Sequence, residues 1–167
     1  MKFKLRTSLL LTAAIFALTV EVRPQKRDEI KPPAETATLA ESEKWFVDSF
    51  VKYATYKTKV TTVTVSNAKF EGCTFSYNQA RKFASTSTAT MGATRTTNTV
   101  KEDISFDLGR ISADGINVTD HIYPEVRTLE LKFVDDGRIV EIVVKSEASE
   151  AFKTALAQIR RLCAAKN

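Results

Sequence analysis

One histidine and two cysteines are the residues to weigh first for chemistry. A Ser–His or Cys–His nucleophile would need His121, the single histidine of the 167-residue chain. His121 stands beside Asp120 in or next to a strand pattern, where a surface or strand histidine is the expected reading. Cys73 and Cys163 are better explained as a disulfide than as nucleophiles, and their spacing to His121 offers no close zinc cluster. Ser66-Asn67-Ala68-Lys69 has the S-x-x-K spacing of serine acyltransferases. That chemistry needs a helix start and companion motifs, and this stretch falls between strands. Asp135-Asp136-Gly137 reads as a turn, because the alternate ligands of a calcium loop do not follow it. Asp103 and Asp107 flank an apolar strand face and are expected to be solvated. Asn117-Val118-Thr119 is a glycosylation sequon, with meaning in a eukaryotic secretory route. These residues imply no catalytic set, no metal site and no cofactor.

Charge is distributed less blandly. Residues 52–101 carry eight basic side chains against one acid, Glu71, a net of +7. Residues 102–150 carry 12 acids against five basic side chains, a net of −7. Lys57, Lys59, Lys69, Arg81 and Lys82 are the candidate anion-binding residues. Alternate strand residues share a side, so Lys57, Lys59 and Lys69 are expected on one surface, whereas Arg81 and Lys82 cannot both be on it. The competing arrangement has the two halves adjoining and neutralising each other through cross-strand pairs.

The elements that would position these residues follow from periodicity. Ser146–Ala165 places Ala148, Ala151, Phe152, Ala155, Leu156, Ile159, Leu162 and Cys163 at helical spacing on one face. Ser146 or Ser149 is expected to cap it. Such a helix must lie on something apolar, and the preceding strands offer a sheet. Thr38–Tyr53 reads as a first helix, with a capping box at Thr38 and Glu41 and a stripe of Leu39, Trp45, Phe46, Phe50 and Tyr53. From Lys57 onward the period becomes two. Gly72 is expected at a bulge or close approach, Asp114-Gly115 at a hairpin turn, and Asp136-Gly137 at the turn into Ile139–Val144. The Ser/Thr-rich stretch 81–98 is either a long exposed strand pair with Gly92 near its turn or a loop.

The fold class expected is α+β, mainly β: an antiparallel, strongly bent sheet or small barrel closed by a C-terminal α-helix, with one N-terminal helix. Residues 37–167 form its single domain, and 21–36, with three prolines, form a flexible linker. Residues 1–20 have a basic n-region (Lys2, Lys4, Arg6) and an apolar run from Ser8, the parts of a signal peptide. An uncleaved N-terminal anchor is the alternative. No cysteine follows the apolar run, so a lipoprotein anchor is excluded. Beyond residue 20 the chain carries 22 basic against 20 acidic side chains, a balance that does not suggest nucleic-acid binding. In a secreted or periplasmic protein the two cysteines pair by default, giving Cys73–Cys163.

Phe70-Glu71-Gly72-Cys73-Thr74-Phe75, Ile104-Ser105-Phe106-Asp107-Leu108 and the closing Ala151-Phe152, Ala155-Leu156 and Leu162-Cys163 resemble a group of uncharacterised secreted bacterial proteins. The strand series with its C-terminal helix also resembles the pleckstrin-homology-like barrel, from about Lys59 to Cys163. The resemblance implies binding of lipids, peptides or proteins rather than catalysis; fold alone does not assign function. The expectation is an exported, non-catalytic binding or interaction domain, with an anionic lipid or polyanion on the basic strand face. Its partner is otherwise open. An enzyme with a scattered Asp/Ser/Lys site and a structural envelope protein are the alternatives.

Overall fold

The computed structural model describes residues 30–89 and 92–165; the expected leader and the first part of the expected linker lie outside the described residues. Helix α1 spans Leu39–Tyr53, and Thr38 caps it. The Glu41 N–H donates to Thr38 Oγ1 at 3.3 Å, and the Thr38 N–H donates to Glu41 Oε2 at 2.7 Å. This is the expected capping box, which satisfies two N–H groups that the first turn leaves orphaned. Phe46 and Phe50, one helical turn apart, are fully buried. Both meet Phe75 and Phe152 edge to face, a geometry favoured by the ring quadrupole.

Strands β1 (Tyr56–Lys57), β2 (Thr61–Glu71), β3 (Thr74–Ala89) and β4 (Gly92–Asp107) form one antiparallel sheet in that order, here sheet A. The 81–98 stretch is therefore a strand pair. Opposite β2 stand residues of β3 only as far as Phe83; beyond it β3 and β4 run on as a two-stranded ribbon. Val63, Val65, Phe75, Tyr77 and Phe106 turn to the core, and the alternate residues face away from it. Gly72 lies in the β2–β3 turn at φ +61° rather than in a bulge. The bulge of this hairpin falls between Ser66 and Lys69, around Asn67 at φ 54°. Asn is among the side chains that tolerate such a backbone, and its amide donates to Asn78 Oδ1 at 2.6 Å.

Strands β5 (Ile111–Asp120), β6 (Val126–Phe133) and β7 (Ile139–Lys145) form a second antiparallel sheet, sheet B. A 3-10 turn, Leu108–Arg110, carries the chain from one sheet to the other. The architecture is thus α+β with two separate sheets, and among the described residues the strands do not close into a barrel. Asp114-Gly115 makes no hairpin. It lies within β5, in an irregular stretch between Ile111, opposite Phe133, and Ile116, opposite Leu131. A Cβ on Gly115 would come within 2.7 Å of the Lys132 carbonyl oxygen, so the strands approach too closely for any side chain. Asp136-Gly137 does turn the chain, with Gly137 at φ +67° and Asp136 Oδ1 accepting from the Arg138 N–H at 2.9 Å.

Helix α2 (Ser149–Ala164) packs on α1, β5 and β6 and buries Phe152, Ala155, Leu156, Ile159 and Cys163 completely. No serine caps it. A 3-10 turn over Ser146–Ala148 occupies its entrance, and both hydroxyls donate instead: Ser146 to the Pro124 carbonyl at 2.7 Å, Ser149 to the Ser146 carbonyl at 2.9 Å. Cys73, in the β2–β3 turn, is joined to Cys163 with Cα atoms 5.8 Å apart. The last residues before α1 are tied to the same helix. Ile30 packs against the core, and Gln158 Nε2 donates to the Ala34 carbonyl at 2.8 Å.

Candidate functional site

The outer face of sheet A separates the five candidate cations. Lys57 stands opposite Thr62, and Thr62 opposite Lys82, so the three side chains form one cross-strand row. The two lysines are two strands apart, roughly 10 Å between backbones. Lys59, in the β1–β2 turn, joins them around a surface hollow of about 220 Å³ that also includes Thr62 and Val60. Lys57 and Lys82 are exposed, and neither they nor Lys59 has an ion-pair or hydrogen-bond partner among the described residues.

Lys69 does not belong to this group. It stands opposite Ser76, six residues along β3 from Lys82 and so roughly 20 Å away. The bulge at Asn67 lies between, and Lys69 is paired with Glu71. Arg81 faces the other side of the sheet and meets Glu102 at 3.1 Å. In their place stands Lys101, opposite Ala80 and exposed on the outer face beside the Lys82 row. Its position follows from the β3–β4 register, which sequence periodicity does not reveal. Asp103, two residues further along β4, shares this face and accepts a hydrogen bond from Asn78 Nδ2.

The acidic half neutralises little of this surface. Asp135 pairs with Arg110, Asp120 with Arg127 and Asp136 with Arg138, all among residues of sheet B and its turns. Arg81–Glu102 is an ion pair that joins the basic segment to the acidic one. Exposed pairs of this kind stabilise by at most about 1 kcal/mol each. Asp107, expected to be solvated, instead caps the 3-10 turn through the Gly109 N–H at 2.8 Å.

Sequence reasoning passed over a second constellation. Where the core face of sheet A runs beyond its apolar side chains, it confronts sheet B across a cleft of about 150 Å³. Tyr56, Gln79, Arg81, His121, Thr128, Glu141 and Val143 line it. Burial of Tyr56 holds its phenol above the ordinary range, and Arg81 partly opposes the shift, so the group stays protonated at neutral pH. His121 is half-buried and accepts the Tyr123 N–H on Nδ1 at 3.2 Å. It stands directly after β5, beside a strand as expected, and there it lines the cleft wall. These residues come from four strands and a loop, so no sequence spacing links them.

Among the described residues no three His, Cys, Asp or Glu side chains stand close enough to hold a metal, and no helix is long and apolar enough to cross a membrane. The disulfide is compatible with an extracellular or periplasmic location. Set against known proteins, the chain matches no family model, no curated protein and no solved structure.

Proposed function

We propose that this chain is an exported binding domain that holds a negatively charged ligand on the outer face of sheet A without transforming it. The observation that carries the reading is the convergence of Lys57, Lys59 and Lys82 on one hollow with no acid among the described residues paired to them. Three ammonium groups around one hollow repel one another, and an anion placed among them relieves that repulsion. Thr62 supplies a hydroxyl between two of the lysines, able to donate to a phosphate, sulfate or carboxylate oxygen. A pleckstrin-homology-like description of the fold belongs with this proposal. Seven strands followed by one amphipathic helix support it, and the two separate sheets replace the closed barrel.

The test is retention of residues 26–167, which contain every contact described above, on anionic vesicles, neutral vesicles and heparin. Retention is expected on anionic surfaces alone and to fall steeply between low and moderate salt. With about 1 kcal/mol for each basic side chain near an anionic surface, changing Lys57, Lys59 and Lys82 together to Gln weakens it on the order of a hundredfold. Equal retention on neutral and anionic surfaces, or no loss in the triple variant, overturns the proposal. Vesicles against heparin distinguish a lipid surface from a soluble polyanion.

A further inference from the structure

The cleft between the two sheets is lined by polar groups whose hydrogen-bonding capacity is only partly used among the described residues. Arg81 has five N–H donors. With the Gln79 amide turned so that both its ends are satisfied, Gln79 Oε1 accepts from Arg81 Nε at 2.5 Å and Nη2 at 2.8 Å. Glu102 takes a further contact from Nη2 at 3.1 Å. The pair of N–H groups on Nη1 remains. His121 uses Nδ1 as an acceptor, so in the neutral ring Nε2 carries the proton and is left to donate. Thr128 is only 6% exposed, and its hydroxyl has no partner among the described residues. The Tyr56 phenol and the Glu141 carboxylate line the same cleft, also without a hydrogen-bonding partner among the described residues. Arg81 and Glu141 are open to solvent, so water satisfies these groups by default, and a ligand must match them to displace it.

Charge selects the ligand. Arg81 and Glu141 put opposite charges on the cleft wall, and Glu102, at 3.1 Å from Arg81, takes only part of the Arg81 donors. A simple anion would suit the donors of Arg81, His121, Tyr56 and Thr128 but would meet Glu141. A simple cation would suit Glu141 and leave those donors idle. A molecule with a carboxylate at one end and an ammonium at the other satisfies both walls. Size limits it, because the cleft offers only about 150 Å³. We propose that the inter-sheet cleft is a second binding site, distinct from the lysine face, for a small zwitterion of the amino-acid class. Its carboxylate is held by Arg81, His121, Tyr56 and Thr128, and its ammonium group by Glu141.

The experiment titrates isotope-labelled residues 26–167 with glycine, a short ω-amino acid, acetate and methylammonium, following amide and ring resonances. Saturable shifts at Tyr56, Arg81, His121 and Thr128 are expected with a zwitterion, at concentrations at least about tenfold below those for acetate or methylammonium, as loss of one charge-assisted contact predicts. Glu141→Gln, an exposed position that leaves the fold unchanged, should abolish the preference over acetate. Arg81→Gln should abolish binding. Lys57, Lys59 and Lys82 changed to Gln should leave these titrations unaltered, so failure here and failure of the lysine face are separate results. Absence of saturable shifts with every compound, which means a water-filled cleft, overturns the proposal. So does equal binding of acetate and zwitterion, or a preference retained in Glu141→Gln.

Discussion

Arg81 and Lys82 are consecutive in β3 and serve opposite faces of sheet A: Arg81 meets Glu102 at 3.1 Å, and Lys82 opens onto the hollow shared with Lys57 and Lys59. The alternation of a strand imposes this separation. It predicts that Lys82→Gln lowers retention on anionic vesicles several-fold, whereas Arg81→Gln leaves it unaltered. Retention measured across a salt series checks both. Equal losses in the two variants would contradict the assignment of faces.

The bond between Cys73 and Cys163 closes a loop with a sequence separation of 90 residues. In the chain-entropy account such a constraint on the unfolded state stabilises by about 4–5 kcal/mol. Cys163→Ala, or reduction, is expected to lower the melting temperature by about 10 °C or more. Thermal unfolding of oxidised and reduced protein, followed through Trp45 beside Phe152, measures it. Coincident curves would show that the staple contributes nothing.

Gly115 packs where a side chain has no room. An added Cβ would lie 2.2 Å from Ser112 Oγ and 2.7 Å from the Lys132 carbonyl. The hydroxyl can rotate away, but the carbonyl belongs to β6. Gly115→Ala should therefore destabilise by about 1–3 kcal/mol, as overpacking does. Gly72 and Gly137 differ: a Cβ at either would meet nothing within 4 Å, and only their positive φ resists substitution. Denaturant midpoints of the Gly115→Ala and Gly72→Ala variants separate the two causes, and a Gly115→Ala protein as stable as the parent refutes the first.

The α1 cap is expected to depend on pH. Hydrogen bonds from the Thr38 backbone N–H and then its hydroxyl hold the Glu41 carboxyl below its usual range. A carboxyl depressed in the folded state adds stability above its unfolded pKa and loses it as pH falls through the folded value. The stability difference between the parent chain and Glu41→Ala should be full at neutral pH and shrink below about pH 4. Thr38→Ala removes the other half of the box and should cost about 1 kcal/mol at neutral pH. Chemical denaturation at several pH values reads both, and a difference independent of pH would remove the carboxylate from the account.

Local features were legible wherever the chain alone contains both partners. The capping box needs only Thr38 and Glu41, three residues apart, and the stripe from Leu39 to Tyr53 needs only helical spacing. Both stand in the structure, as do the last amphipathic helix, the Asp136-Gly137 turn and the α+β class. The cysteine pair was legible for a different reason: with two cysteines there is one way to pair them.

What the sequence left open depends on register and on distant segments. Ser146 and Ser149 have the chemistry of caps, but Pro124 offers Ser146 a carbonyl that only the folded chain brings near. Asp114-Gly115 has turn chemistry, yet β6 pairs across it and makes it part of a strand. Of five basic residues, Lys57, Lys59 and Lys82 meet. The bulge at Asn67 and the length of β3 put Lys69 elsewhere, and Lys101 enters from a strand paired sixteen residues deep. The polar cleft is the extreme case. Tyr56, Arg81, His121, Thr128 and Glu141 share no periodicity, because strand spacing decides only which face a residue takes. The packing of one sheet against another decides what that face meets.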